Sequence, residues 1–140
     1  MSVETRGALA GAFAALVWGA AEPLLRRAVG TPYSDIRLLG RTLTDGPHWR
    51  AAGLAMHAVN GAAFGWVFAR LGGRGWKQGI AAAELETIAL WPGMGVVDRL
   101  HPDRRDGTWP PLLANGRAFA LTAAGHAVFG AVLGALLTDD

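Results

Sequence analysis

Five side chains that can ionise lie within otherwise apolar stretches of the chain, and these residue types could carry chemistry. They are Glu22, His57, Glu84, Glu86 and His126. A charge at the centre of a bilayer costs about 3 kcal/mol even on the lenient insertion scales, so such residues usually face protein or water and mark a functional site. Histidine titrates near neutral pH, and burial can raise the pKa of a glutamate into the same range. The pattern therefore predicts an intramembrane site that binds or relays protons or a small cation.

The expected depths of these residues favour one connected group. With a rise of about 1.5 Å per residue, His57 lies about 9 Å and His126 about 12 Å from the same membrane surface. Glu86 enters from the opposite surface and reaches mid-depth, whereas Glu22 lies at the interface. Glu84 and Glu86 are two residues apart and point to different faces of a helix, so at most one of them joins the group squarely. The predicted proton- or ion-binding residues are Glu22, His57, Asn60, Glu84, Glu86 and His126.

Other interpretations of the same residues stay open. His57 and His126 could hold a b-type haem between two helices, with nearby glycines leaving room for the porphyrin. A divalent metal held by His57, His126 and Glu86 is a variant of that hypothesis, although the Glu-x-x-His pattern of di-iron bundles is missing. Alternatively, the polar group only specifies helix packing in a structural or assembly protein. None of these patterns favours an enzyme, and the chain has no cysteine for a thiolate ligand or nucleophile.

Both histidines begin the same nine-residue pattern. The segments 57–65 and 126–134 each have a histidine followed by glycines four and eight residues later. Residues four apart lie one above the other on a helix. The glycines therefore form a small-xxx-small stripe, which lets a second helix approach closely. The predicted helix-packing residues are Gly61, Gly65, Gly130 and Gly134.

The elements that carry these residues are four apolar stretches, each close to the ~20 residues that a helix needs to cross a bilayer. The chain has 140 residues, of which 51% are apolar and 17% are charged, against a usual charged share of about 25%. Alanine-rich helices of a soluble bundle would carry charged faces, which these stretches lack. We predict an all-α fold, an integral membrane four-helix bundle. It is a single domain over residues 1–140, with spans at about 7–25, 51–71, 79–97 and 118–137.

An internal repeat relates the two halves of the chain. Pro23 precedes His57 by 34 residues, and Pro92 precedes His126 by the same 34 residues. Each unit contains two helices, so both units cross the membrane in the same sense and form a parallel two-helix repeat. Pro92 should also break or kink the third helix just after Glu86.

The connecting segments are polar. In the first connection, Ser34 or Asp35 could cap a short amphipathic helix that lies at the membrane interface. The third connection, residues 98–117, should be irregular because it is rich in proline, glycine and aspartate. Its His101, like His48 in the first connection, is expected to be solvated.

Basic residues are divided unequally between the two sides of the predicted bundle. Nine lie in the first and third connections and four on the opposite side. By the positive-inside rule, both termini then lie outside the cytoplasm. The net charge of +2 is too small to indicate nucleic acid as a partner. The expected partners are the lipid bilayer and either a second copy of the chain or a membrane complex.

Short motifs occur on all four predicted spans. They are residues 17–23 (VWGAAEP), the helix around His57, residues 76–79 (WKQG) with 92–95 (PGMG), and Gly125-His126. In these motifs the chain resembles the YagU-like family of small bacterial inner-membrane proteins. The resemblance implies a multi-pass protein of the bacterial inner (plasma) membrane, and it carries over no enzymatic activity to this chain. The family has a histidine on its third helix where this chain has Glu84 and Glu86, and it carries its basic N-terminus inside, against the count above.

Overall fold

The computed structural model describes residues 1–138, so the last two residues of the predicted 1–140 domain lie outside it. The described residues form helices and connections without a strand. The helices are α1 (Val3–Val29), α2 (Asp35–Leu43), α3 (Trp49–Arg70), α4 (Gly75–Leu90), α5 (Met94–Leu100), α6 (Pro102–Arg105) and α7 (Gly116–Leu136). A 3-10 turn, Trp91–Gly93, joins α4 to α5.

Four segments are long and apolar enough to cross a membrane. They are α1, α3, the continuous stretch Gly75–Leu100 that contains α4 and α5, and α7. Apart from a few residues at their ends, they coincide with the four apolar stretches of the sequence. The all-α fold with four long apolar helices is confirmed, and it is compatible with the predicted four-helix bundle. The helices indicate a membrane protein.

The first two spans pack through glycine. Gly61 of α3 lies against the backbone of Gly11 in α1, and Gly65 lies against Gly7. This pairing makes the two helices antiparallel and brings their backbones into direct contact. A side chain as small as a methyl group at any of these four positions would overlap a carbonyl oxygen of the facing helix. The contact therefore depends on glycine, as in other small-xxx-small helix pairs.

The last two spans pack in the same way. Gly130 of α7 lies against Gly79 of α4, and Gly134 lies against Gly75. Each half of the chain therefore contains one antiparallel helix pair joined by glycines. The predicted parallel repeat, which requires a symmetry between these pairs, stays a prediction.

The two pairs meet along α1 and α7. The indole of Trp18 in α1 lies directly against Gly125 of α7, where any Cβ would overlap the ring. Ala14, Ala15, Phe129 and Leu133 are buried around this contact. Because α1 packs on α3 and α7, while α7 also packs on α4, helices α3 and α4 lie on opposite flanks and have little contact with each other.

The predicted interruption of the third span is confirmed. The α-helical hydrogen-bond pattern of α4 ends at Leu90, and the chain continues through the 3-10 turn that contains Pro92. Proline cannot donate the backbone hydrogen bond that an α-helix needs at this point. The interruption follows Glu86 by about one turn, so Glu86 lies in the last turns of a regular helix.

Helix α2 begins as the sequence predicts, with Ser34 as its N-cap. The Ser34 hydroxyl accepts a hydrogen bond from the backbone N–H of Arg37 at 3.0 Å. The helix lies across the start of α3, where its Gly40 contacts the Trp49 carbonyl and Gly53 of α3 contacts the Ile36 carbonyl. Close backbone contact thus fixes α2 against the bundle as well.

The third connection is irregular over residues 106–115, as expected, but its first part is helical and packs around Asp103. It contains the end of α5 and all of α6, and the Arg37 guanidinium donates two hydrogen bonds to the Asp103 carboxylate at 2.8 and 2.7 Å. Burial tends to raise the pKa of Asp103, but the hydrogen bonds from Arg37 hold it below its usual value.

His101 is buried rather than solvated, so that expectation was wrong. Its Nε2 lies 3.1 Å from the carbonyl oxygen of Leu38, and its ring stacks on Trp109 at 4.8 Å between centroids. Burial lowers the pKa of His101, which favours the neutral imidazole in this setting. The first and third connections therefore form a folded cap over one end of the bundle.

The glycine contact between α1 and α3 predicts that Gly61→Ala destabilises the protein, although alanine is the better helix former by about 1 kcal/mol. The added methyl group would lie 2.5 Å from the Gly11 carbonyl oxygen, so the helices must separate. We expect the free energy of unfolding to fall by about 1–3 kcal/mol, seen as a lower thermal midpoint in detergent. Gly116→Ala is the matched control, because a methyl group there meets no atom within 4 Å. Equal midpoints for the two variants would contradict the prediction.

Candidate functional site

A cavity of about 170 Å³ lies between α3 and α4. Helices α1 and α7 form its floor, and α2 lies at one end. Apolar side chains such as Phe64, Leu90 and Phe129 make up much of its wall. Its polar lining residues are Trp18, Asp35, His57, Asn60, Glu86 and His126. The cavity is a consequence of the packing, because α3 and α4 are each held to a different neighbour.

His126 and Glu86 form the central polar contact of this cavity. The Nδ1 atom of His126 lies 2.9 Å from the Thr122 carbonyl oxygen, and its Nε2 lies 3.5 Å from Oε2 of Glu86. A carbonyl oxygen only accepts hydrogen bonds, so Nδ1 carries a proton. Nε2 and the Glu86 carboxyl group can then share one further proton, either as an imidazolium–carboxylate pair or as two neutral groups. The Glu86 side chain is 36% exposed and that of His126 is 15% exposed, so Glu86 is the outer member of the pair.

Trp18 lies between α3 and α7 and contacts both histidines. The centroid of its ring is 4.4 Å from that of His57 and 4.6 Å from that of His126. The Nε2 atom of His57 is buried and has no hydrogen-bond partner among the described protein atoms. An unpaired buried nitrogen is costly unless water or a bound species contacts it. His57 therefore supplies unused hydrogen-bonding capacity in the wall of the cavity.

Asp35 joins the cavity from the first residue of α2. Its carboxylate accepts a hydrogen bond from the Tyr33 hydroxyl at 2.7 Å and lies 3.3 Å from the Thr122 hydroxyl. Burial raises the pKa of Asp35 to about 6, the charge of Glu22 adds to the rise, and the hydrogen bond from Tyr33 opposes it. Burial also raises the pKa of Tyr33, and the negative charge of Asp35 raises it further. Thr122 thus connects two titratable groups, since its carbonyl contacts His126 and its hydroxyl contacts Asp35.

Glu22 has a different environment from the one expected by depth. Its Oε2 accepts a hydrogen bond from the Ser34 hydroxyl at 2.8 Å, and its Oε1 accepts one from the Ile36 N–H at 3.2 Å. A carboxylate at this position satisfies free N–H groups and opposes the positive end of the helix dipole. Glu22 does not line the cavity, and it holds the N-terminus of α2 against α1.

The structure brings four of the six predicted binding residues to one cavity. His57, Asn60, Glu86 and His126 line it, whereas Glu22 and Glu84 do not. The sequence indicated Thr122 only as a weaker hydroxyl beside the group, and it did not place Trp18 or Asp35 in the site. Asp35 was considered only as a helix cap, and its position between Tyr33 and an amphipathic helix was the available signal that it could be buried.

The cavity does not fit a haem. Its volume of about 170 Å³ is below the ~300–1,000 Å³ of pockets that hold drug-sized ligands, and Trp18 packs against both histidines. Among residues 1–138, no three or more His, Asp or Glu side chains form a group that could hold a metal ion. The structure therefore does not arrange His57, His126 and Glu86 as a set of metal ligands.

Comparison with protein-family models, curated proteins and solved structures found no match for this chain. The resemblance to the YagU-like family consequently stays a prediction that rests on the short motifs. The function has to be inferred from the geometry of the cavity.

The buried Asp35 carboxyl predicts a pH-dependent stability. Its pKa rises on folding from 3.8 to about 6, so the folded state binds the proton more tightly than the unfolded state. The bound proton therefore stabilises the folded state fully below the ordinary pKa of 3.8, and this stabilisation is lost as the pH rises through about 6. We expect the advantage of wild type over Asp35→Asn in free energy of unfolding to fall by up to about 3 kcal/mol over that interval. Thermal unfolding in detergent at a series of pH values measures it, and a constant difference would refute the assignment.

Proposed function

We propose that this protein binds and transfers protons within the membrane, with Glu86 and His126 as the exchanging pair. The observation that carries the proposal is the contact between Nε2 of His126 and the Glu86 carboxylate, which lie 3.5 Å apart in a cavity between two spans. The fixed Nδ1 of His126 leaves Nε2 as the only nitrogen available for exchange. The pair can take up a proton without leaving an isolated charge in an apolar region, which would be costly.

Water can complete a path through the cavity. The cavity volume of about 170 Å³ is well above the ~10–15 Å³ that one water molecule needs, so the cavity has room for several water molecules. Asn60 and the unpaired Nε2 of His57 supply hydrogen-bond partners in the wall. A short chain of water molecules would place the Glu86–His126 pair in contact with both groups.

Asp35 provides the exit on the side of the connections. Its pKa of about 6 allows it to gain and lose a proton near neutral pH. Asp35 and His126 both line the cavity, so water in the cavity would carry the proton from Nε2 of His126 to the Asp35 carboxyl group. The Thr122 hydroxyl, which can donate and accept, lies 3.3 Å from that carboxyl group. We assign the order Glu86, His126, Asp35 to the relay, with the partly exposed Glu86 as the outer group.

A small cation is the alternative cargo for the same cavity. The carboxylates of Asp35 and Glu86 and the side chain of Asn60 line it, and oxygen atoms are the ligands that hard cations prefer. The proposed setting is a bacterial inner membrane, crossed by four spans, with both termini outside the cytoplasm. We propose no enzymatic reaction.

Proton flux into vesicles tests the proposal. Purified protein is reconstituted in vesicles that contain a pH-sensitive dye, and a pH gradient is imposed. Glu86→Gln removes the exchanging carboxyl, so we expect the flux to fall by at least about tenfold. Glu84→Gln is the matched control, because Glu84 lies on the same helix but outside the cavity, and its flux should equal that of wild type.

Three results would redirect the proposal. Equal flux in wild type and Glu86→Gln would refute proton transfer through this pair. A flux that requires a gradient of Na⁺ or K⁺ would assign the cavity to a cation. If Glu86→Gln changes only the thermal midpoint, the polar group is a packing device, as the structural interpretation holds.

A further inference from the structure

A second cavity lies where α1 meets the first connection. It is a surface groove of about 460 Å³, and we call it the arginine groove. Its lining residues are Pro23, Arg26, Arg27, Gly30, Thr31 and Pro32. Arg117 of α7 reaches its edge, because its Nη1 donates a hydrogen bond to the Gly30 carbonyl at 3.4 Å. Three guanidinium groups therefore surround one groove.

None of the carboxylates in residues 1–138 forms an ion pair with these three arginines. Within residues 1–138, several other arginines form ion pairs, among them Arg37 with Asp103 and Arg104 with Asp98. Arg26, Arg27 and Arg117 form none with any described residue. The acidic residues nearest to Arg26 and Arg27 along the chain are Glu22 and Asp35, which are buried and hold hydrogen bonds with other groups. The groove thus has an uncompensated positive charge.

The backbone carbonyls around the groove are already occupied. The N–H groups of Gly30 and Thr31 donate to the Arg26 carbonyl at 2.9 and 3.2 Å. The Pro32 carbonyl accepts hydrogen bonds from Nη2 of Arg26 at 2.8 Å and from the indole of Trp109 at 3.2 Å. Nε of Arg26 is buried and has no partner among the described residues. The groove therefore presents hydrogen-bond donors and little acceptor capacity.

The groove lies at the depth where the headgroup of a membrane lipid is expected. The groove lies at the end of the first span, beside Leu24, which is 70% exposed and one turn or less from Arg26 and Arg27. An exposed leucine on a membrane span faces lipid chains, so the adjacent arginines lie at the level where the polar headgroups begin. The same side holds nine of the 13 basic residues of the chain.

We propose that the arginine groove binds the phosphate group of an anionic phospholipid. Guanidinium groups bind phosphate oxygens through paired, charge-assisted hydrogen bonds. Basic pockets at the ends of membrane helices are suited to anionic headgroups for the same reason. The proposal is independent of proton transfer, because none of its three arginines lines the cavity between α3 and α4.

Lipid binding to the full chain in nanodiscs tests this proposal. The discs contain phosphatidylcholine with a small share of fluorescent phosphatidylglycerol, and energy transfer from the tryptophans reports the bound lipid. Arg27→Gln with Arg117→Gln removes two groove charges, and we expect the affinity for phosphatidylglycerol to fall by about tenfold. Arg99→Gln with Arg105→Gln is the matched control, because both arginines are exposed on the same side and outside the groove.

The controls separate the groove from net charge and from folding. Equal losses in the two double variants would overturn the proposal, because net charge alone would then explain the binding. The exposed Arg27 side chain makes no hydrogen bond or ion pair with the described residues. We therefore expect the single variant Arg27→Gln to keep the fold and to lose affinity for the lipid. An unchanged affinity would overturn the proposal. Displacement of the lipid by millimolar inorganic phosphate would assign the groove to a free phosphate and overturn the lipid assignment. Resistance to phosphate supports the lipid.

Discussion

Direct backbone contact between glycine-lined helices is the interaction on which the rest of this structure depends. Lipid chains are as apolar as leucine, so burial of apolar surface does not drive membrane helices together. Dispersion and weak Cα–H···O contacts remain, and both need very short distances between backbones. Gly11 with Gly61, and Gly79 with Gly130, provide that approach in the two antiparallel pairs. Each pair is a closely packed unit, and the bundle follows from how two such units are joined.

The joint between the two units explains the cavity. Trp18 fills the space beside Gly125, and its ring separates the pairs at the depth where His57 and His126 lie. Helix α3 is held to α1 and helix α4 to α7, so neither can move across to close the gap between them. A polar cavity in a membrane bundle is thus a product of tight packing elsewhere. The ionisable residues His57, Glu86 and His126 line this gap between α3 and α4.

Much of the fold could be predicted from the sequence because its signals are local. Apolar length defined the four spans, Ser34 marked the start of α2, and Pro92 marked the interruption after α4. The site was predicted less completely, because the rotation of each helix about its axis decides which of its residues face the cavity. Hydropathy with little periodicity does not fix that rotation, so Glu84 and Glu86 could not be separated. The burial of His101 depends on contacts such as that of Arg37 with Asp103, which are 66 residues apart. Distant pairings of this kind leave no mark in local composition.

Helix α2 connects the folded polar cap to the cavity, and this gives Glu22 a role that depth alone could not reveal. Glu22 fixes the N-terminus of α2 through Ser34 and Ile36, and the residue between these two is Asp35. The charge of Glu22 contributes to the raised pKa of Asp35, after burial itself. In the first turn of the same helix, Arg37 also ties α2 to the third connection through Asp103. Two carboxylates on one helix terminus therefore have separate tasks. Glu22 holds the helix in place, and the helix holds Asp35 at the end of the cavity, where burial raises its pKa. On the protein surface the same carboxyl group would be hydrated and would have an ordinary pKa.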